Sequence, residues 1–127
     1  NTSIEVLGGV NGVRIVSPQT VEALTARHRV RLIDQTFGHV YDWGLGFMLE
    51  SRAERGVKML AYDFGAHASP RTYGHGGSQC AMGFADPEHG LAVAWAFNGL
   101  PGEAEHRRRN HALNTAVYED AGLAAPA

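Results

Sequence analysis

Three features of the sequence predict an α+β fold, an antiparallel β-sheet meander of about four strands backed by a C-terminal helix. Leu91–Phe97 alternates bulky side chains (Leu91, Val93, Trp95, Phe97) with alanines, the two-residue period of a strand. Asp86-Pro87-Glu88-His89-Gly90 before it, and Gln79-Cys80 further upstream, read as tight reversals, so the strands they join run antiparallel. Ala112, Leu113, Ala116 and Val117 recur at helical spacing, and Gly122 can end that helix.

The totals fit one ordinary domain. A chain of 127 residues, 44% hydrophobic and 19% charged, can bury roughly two-thirds of its surface. No apolar run approaches the roughly 20 residues of a spanning helix, which argues against a membrane role. A net charge of -2 argues against nucleic acid as a partner, although Arg107-Arg108-Arg109 is a local basic run, read as a solvated helix face. Cys80 is the single cysteine and cannot form an internal disulfide. The sequence starts Asn1-Thr2-Ser3 without methionine, as a processed protein, a trimmed chain or a fragment would.

From the front, Gly8-Gly9 and Asn11-Gly12 signal loops around short apolar runs, leading to Val13–Val16. Ser17-Pro18 opens a short helix: the serine can cap free amides and the proline suits the first helical position. Val16 and Val21 stand where a hydrophobic staple would join them. Arg27–Asp42 is irregular and reads as a long loop, with room for a brief strand. Trp43–Leu49 is expected to be one strand, with Trp43, Leu45, Phe47 and Leu49 on one face and Gly44 and Gly46 on the other. Glu50–Lys58 reads as a turn, and Met59–Ser69 is ambiguous.

The organising stretch is Tyr73–Pro87. Two glycines directly behind a histidine, His75-Gly76-Gly77, weaken a strand and mark a place where a ligand or another backbone comes close. The reversal near Gln79-Cys80 leads into a strand over Ala81–Ala85. In Leu91–Phe97 both faces are apolar and need covering, and the alanine face is expected to admit a helix backbone. Leu100-Pro101-Gly102 breaks that strand, and Glu103 and Glu105 oppose the positive end of the next helix's dipole.

In order and spacing, Trp43-Gly44-Leu45-Gly46-Phe47, His75-Gly76-Gly77, Gly83-Phe84-Ala85-Asp86-Pro87-Glu88 and a hydrophobic strand ending at Asn98 resemble the C-terminal part of the serine β-lactamase-like hydrolases. The resemblance runs from Val13 onward and points to the class C-type branch with its penicillin-binding-protein-like carboxylesterases. It implies a single partial domain over residues 1–127, part of a β-lactamase-like α/β/α sandwich lacking its N-terminal strands and helical region. It also implies that His75-Gly76-Gly77 stands where the family's third active-site motif, typically Lys-Thr-Gly, lines the cleft. On that basis His75 would hydrogen-bond the catalytic tyrosine or the substrate, and Ser78 would offer its main-chain N–H to the oxyanion. Gly76, Gly77 and Trp43 would border the substrate.

Elementary chemistry agrees with that layout. An acyl group lying along the strand needs bare backbone beside it, and one fixed amide aimed at an oxyanion contributes roughly 3 kcal/mol. A histidine, unlike a lysine, is mostly neutral at pH 7, which favours neutral esters over carboxylate-bearing β-lactams.

The family's Ser-x-x-Lys is missing: no serine here is followed three positions later by lysine, and Lys58 is the single lysine. Tyr41, Tyr62, Tyr73 and Tyr118 lack the neighbours of its catalytic tyrosine. The expectation is therefore a C-terminal segment inactive alone, its substrate a small ester or amide in the complete enzyme. The N-terminal part, or another chain, would lie along the edge of Leu91–Asn98. The competing reading is a non-catalytic binding or accessory module that kept the sheet. No cofactor is implied. The histidine spacings suggest no metal site, and Cys80 beside His75 lacks a third group to orient a thiol nucleophile.

Overall fold

Short reversals connect every neighbouring pair in the main sheet except one, and they set its topology. The computed structural model describes residues 9–10, 12–52, 56, 60 and 62–124. A small hairpin, β1 (Gly9–Val10) and β2 (Val13–Arg14), precedes helix α1 (Pro18–Thr25). Six strands then follow in an all-antiparallel meander: β3 (Arg29–Ile33), β4 (Val40–Trp43), β5 (Met48–Leu49), β6 (Tyr73–Gly77), β7 (Ala81–Asp86) and β8 (Leu91–Ala96). Helix α2 (Glu103–Asp120) closes the described chain. Gly8, Asn11, 53–55, 57–59 and 61 lie outside the described residues, so the loop signals at Gly8 and Asn11 and most of the turn expected over Glu50–Lys58 do too.

The α+β meander and its C-terminal helix are as the sequence predicts, with two more strands. The irregular stretch Arg27–Asp42 holds β3 and most of β4. Its pattern is broken by a bulge between Arg29 and Leu32, where Arg31 takes a left-handed φ of 55° and donates its amide to Asp42 Oδ1 at 2.9 Å. Trp43–Leu49 is not one strand. It is a hairpin in which Gly44 N–H donates to Phe47 O at 2.8 Å and Gly46 adopts a φ of 86°. A Cβ on Gly44 would sit 2.2 Å from Leu24 O, so the glycine lets α1 end against this turn. Helix α1 begins as expected, with Ser17 Oγ accepting from Thr20 N–H at 3.1 Å and proline in its first turn.

The alanine face also differs from expectation. Ala92, Ala94 and Ala96 are exposed, and α2 packs on the opposite face, where Leu91, Val93 and Trp95 are half-buried. Burial scales with apolar area, so the bulky face gains far more from a cover than a row of methyl groups does. Nor does α2 present the stripe Ala112, Leu113, Ala116, Val117 to the core. Its buried residues are His106, Asn110, Asn114 and Tyr118, while Ala112 is exposed. The core beneath them joins Tyr41, Met48, Tyr62, Phe64, Met82, Phe84 and Tyr118.

Hydrogen bonds make Asn110, Asn114 and Tyr118 of that polar stripe buriable, while His106 packs against the Tyr62 and Trp95 rings. Asn110 Nδ2 and Asn114 Nδ2 donate to Asp63 O at 2.6 and 3.0 Å, and Trp95 Nε1 donates to Asn114 Oδ1 at 2.9 Å. Tyr118 OH donates to Asp86 at 2.8 Å. After Asp120 the chain stops helically at Gly122 (φ 70°): its amide reaches Glu119 O and that of Leu123 reaches Tyr118 O, the paired bonds of a Schellman motif.

Candidate active site

The β6–β7 hairpin carries the site. Its ladder runs from Tyr73↔Ala85 to Gly77↔Ala81, and Cys80 N–H closes the tip by donating to Gly77 O at 2.9 Å. Ser78 and Gln79 occupy the two central positions with φ of 30° and 63°, the handedness that matches strand twist but that side chains other than Gly, Asn or Asp resist. The Gln79 side chain holds this tip against the start of α2. Its Nε2 donates to Glu103 Oε1 at 2.9 Å and its Oε1 accepts from Gly102 N–H at 3.1 Å. Arg109 Nη2 adds a bond to Gln79 O at 2.9 Å.

Beside the tip lies a cleft of about 320 Å³, lined by Thr36, Phe37, Met48, Tyr62, His75, Gly76, Ser78, Gln79 and Glu103. His75 is exposed here, and its Nδ1 lies 2.6 Å from Gly76 O. A carbonyl only accepts, so Nδ1 carries the proton and Nε2 is the acceptor of the neutral ring. The His75 ring is flanked by Trp43 at 5.5 Å and Phe37 at 6.4 Å between centroids, and Phe37 stacks on Trp43 at 6.1 Å. Trp43 thus stands behind the lining residues. Gly76 borders the cleft but also has a packing reason to lack a side chain, because a Cβ would meet the Tyr62 ring at 2.7 Å. A Cβ on Gly77 would approach that of Ala81 at 3.2 Å.

Tyr62 and Glu103, one in the ambiguous run and one read only as a helix-start acid, form the far wall. Tyr62 OH donates to the Glu103 carboxylate at 3.1 and 3.2 Å, and burial together with that carboxylate pushes the phenol up to about 12. Phe37 was hidden in the irregular stretch before β4. Each of these three reaches the cleft that His75 lines only through the tertiary fold, and the separations 37–75 and 62–103 leave no local signal.

A larger cleft of about 500 Å³ runs between α1 and Pro70–Tyr73. None of the candidate site residues His75, Gly76, Gly77, Ser78 and Trp43 lines it. The smaller cleft is the chemically equipped one, since it brings an imidazole and bare main chain to one place.

An antiparallel sheet with a glycine-bearing strand and a histidine at its cleft edge, backed by a C-terminal helix, is consistent with a partial β-lactamase-like α+β fold. A family model for Beta-lactamase matches residues 4–118, so the chain belongs to the β-lactamase family. EstA from Arthrobacter nitroguajacolicus Rue61a aligns with 98% of this chain at 27% identity and a TM-score of 0.62. A novel penicillin-binding protein homolog from Caulobacter crescentus aligns with 88% at 26% identity and a TM-score of 0.60. This chain spans 32% and 29% of those two chains. No curated protein sequence matches it at a significant level.

Proposed function

We propose that this chain is the C-terminal portion of a serine hydrolase of the β-lactamase and esterase type, and that it supplies the oxyanion strand and third motif for hydrolysis of an ester or amide. The observation that carries this reading is the β6–β7 tip, where His75, the bare backbone of Gly76, and Ser78 border one cleft, while Gly77 lies on the same strand outside the lining. In the complete enzyme a serine from polypeptide outside this sequence attacks the substrate carbonyl carbon. The carbonyl π pair moves to oxygen, and Ser78 N–H stabilises the resulting oxyanion. Collapse expels the alcohol or amine with a proton, and water then attacks the acyl-enzyme, releasing acid and free serine. His75 Nε2 accepts a hydrogen bond from the partner base or from substrate. The outer edge of β8, the last strand of the sheet, is where the remaining polypeptide pairs.

The test is turnover of nitrocefin and of a p-nitrophenyl ester by this chain, alone and after mixing with the N-terminal portion of its parent protein. Turnover only in the mixture is the expected result. Turnover by this chain alone overturns the reading, and so does specific binding of substrate with no turnover in either case.

A further inference from the structure

We propose that Glu103 makes the cleft selective for cationic substrates, so that the ester or amide it accepts carries an amine or quaternary ammonium group; this rests on the hydrolase reading above. Glu103 is the first residue of α2, and its side chain lines the cleft with His75 and Ser78. Tyr62 OH and Gln79 Nε2 both donate to its carboxylate. They orient it, and being neutral they leave its charge uncancelled.

The nearby cations are engaged elsewhere. Arg108 pairs with Glu105 at 2.6 Å, while Arg109 lies 4.3 Å over the Phe97 ring and bonds Gln79 O. Among the described ion pairs none involves Glu103. Every other described lining residue is uncharged or an imidazole. Beside the carboxylate is the Tyr62 ring, and the Phe37 ring lies 5.6 Å from it between centroids in the same cleft, where aromatic faces attract cations. A carboxylate beside aromatic walls therefore favours a cation by charge and by quadrupole, and repels a substrate carboxylate by the same field.

Three acetanilides that differ at the para position test this: trimethylammonio, its uncharged isostere tert-butyl, and carboxy. Titration of each into the full chain is followed through the amide resonances of Gly76, Gly77, Ser78 and Phe37. The Glu103→Gln variant keeps an acceptor for Tyr62 and Gln79 but removes the charge. The cationic probe should bind about tenfold more weakly to this variant than to the native chain, with the tert-butyl probe unchanged and the carboxy probe improved. Raising the salt should shrink the native preference in the same direction. Binding of the tert-butyl probe with no effect of charge, or a cation affinity unaltered by Glu103→Gln, overturns this proposal and leaves the hydrolase reading standing. If none of the three moves the cleft amides, this proposal falls, and the hydrolase reading is decided by the turnover test above.

Discussion

Asp86 is completely buried, yet it accepts hydrogen bonds from six groups. They are Ser69 N–H at 2.9 Å, Ser69 Oγ at 2.6 Å, Glu88 N–H at 3.1 Å, His89 N–H at 3.4 Å, His89 Nδ1 at 2.8 Å and Tyr118 OH at 2.8 Å. Burial alone would raise its carboxyl, but the bonds from Ser69, His89 and Tyr118 outweigh it and hold the group well below the ordinary carboxylate range. A group depressed in the folded state adds stability above its unfolded pKa, near 3.9, and that stability drains away as pH falls through the folded value. Asp86→Asn should therefore lower stability at neutral pH by about 3 kcal/mol and flatten the acid side of a urea-midpoint profile below about pH 4. A variant profile parallel to the native one across that range would contradict this.

At the β6–β7 tip the strain at Ser78 points the other way. Its side chain is exposed, and its left-handed backbone disfavours an L residue by roughly 1–2 kcal/mol. Ser78→Gly removes that strain while making the unfolded chain freer, so a net gain of about 0.5–1 kcal/mol is expected by chemical denaturation. The proposed oxyanion donor is a main-chain amide, which glycine retains. Turnover by the complemented enzyme should change less than twofold, whereas a loss of a hundredfold would mean that the side chain itself acts.

At the scale of elements, α2 shows how packing can invert a hydrophobic pattern. Asn110 and Asn114 face inward because the loop around Asp63 offers them a carbonyl and Trp95 offers an indole N–H. A larger apolar residue would suit the naive pattern but strand those partners. Asn114→Leu should cost about 2–3 kcal/mol in urea unfolding despite adding apolar bulk. Ala112→Leu, on the exposed side, should stay within about 0.5 kcal/mol of native. Equal effects would mean that α2 presents its apolar stripe to the core after all. The two elements that periodicity misread, β3 with β4 and the Trp43–Leu49 hairpin, fail for a related reason. A bulge breaks the two-residue period at Arg31, and a four-residue turn imitates it at Gly44–Phe47.

Across the whole molecule, all four tyrosines have phenols raised by burial, with Glu103 adding to the effect at Tyr62 and Asp86 at Tyr118. A group raised in the folded state adds stability that is complete below its unfolded pKa of about 10 and is lost as pH climbs through the folded value. An ultraviolet titration should thus show less than half of the phenolate signal at pH 10, with the rest appearing together as the fold is lost at higher pH. Independent ionisation of two or more tyrosines near pH 10 would show that the aromatic core is open.

The outer edge of β8 and its exposed alanines bear on association. Among the described residues nothing pairs that edge, and Ala92, Ala94 and Ala96 offer a flat apolar strip beside it. The isolated chain should self-associate at micromolar concentration in sedimentation velocity, and Ala94→Lys with Ala96→Lys should return it to monomer with an unchanged circular dichroism spectrum. A native chain that stays monomeric would argue that the strip needs no cover.

What the sequence settled by itself is whatever depends on neighbours a few residues apart. Pro87 and Gly90 dictate a hairpin, Ser17-Pro18 a helix start, Gly122 a helix stop, and the alternation of Leu91–Ala96 a strand, because turn, cap and pleat are local preferences. The tertiary structure alone decided which face of β8 and of α2 is covered, and which side chains stand opposite His75. Those outcomes depend on hydrogen-bond partners and ring contacts from residues tens of positions away, such as Asp63 for Asn110 and Glu103 for Tyr62, and a local pattern holds no record of them.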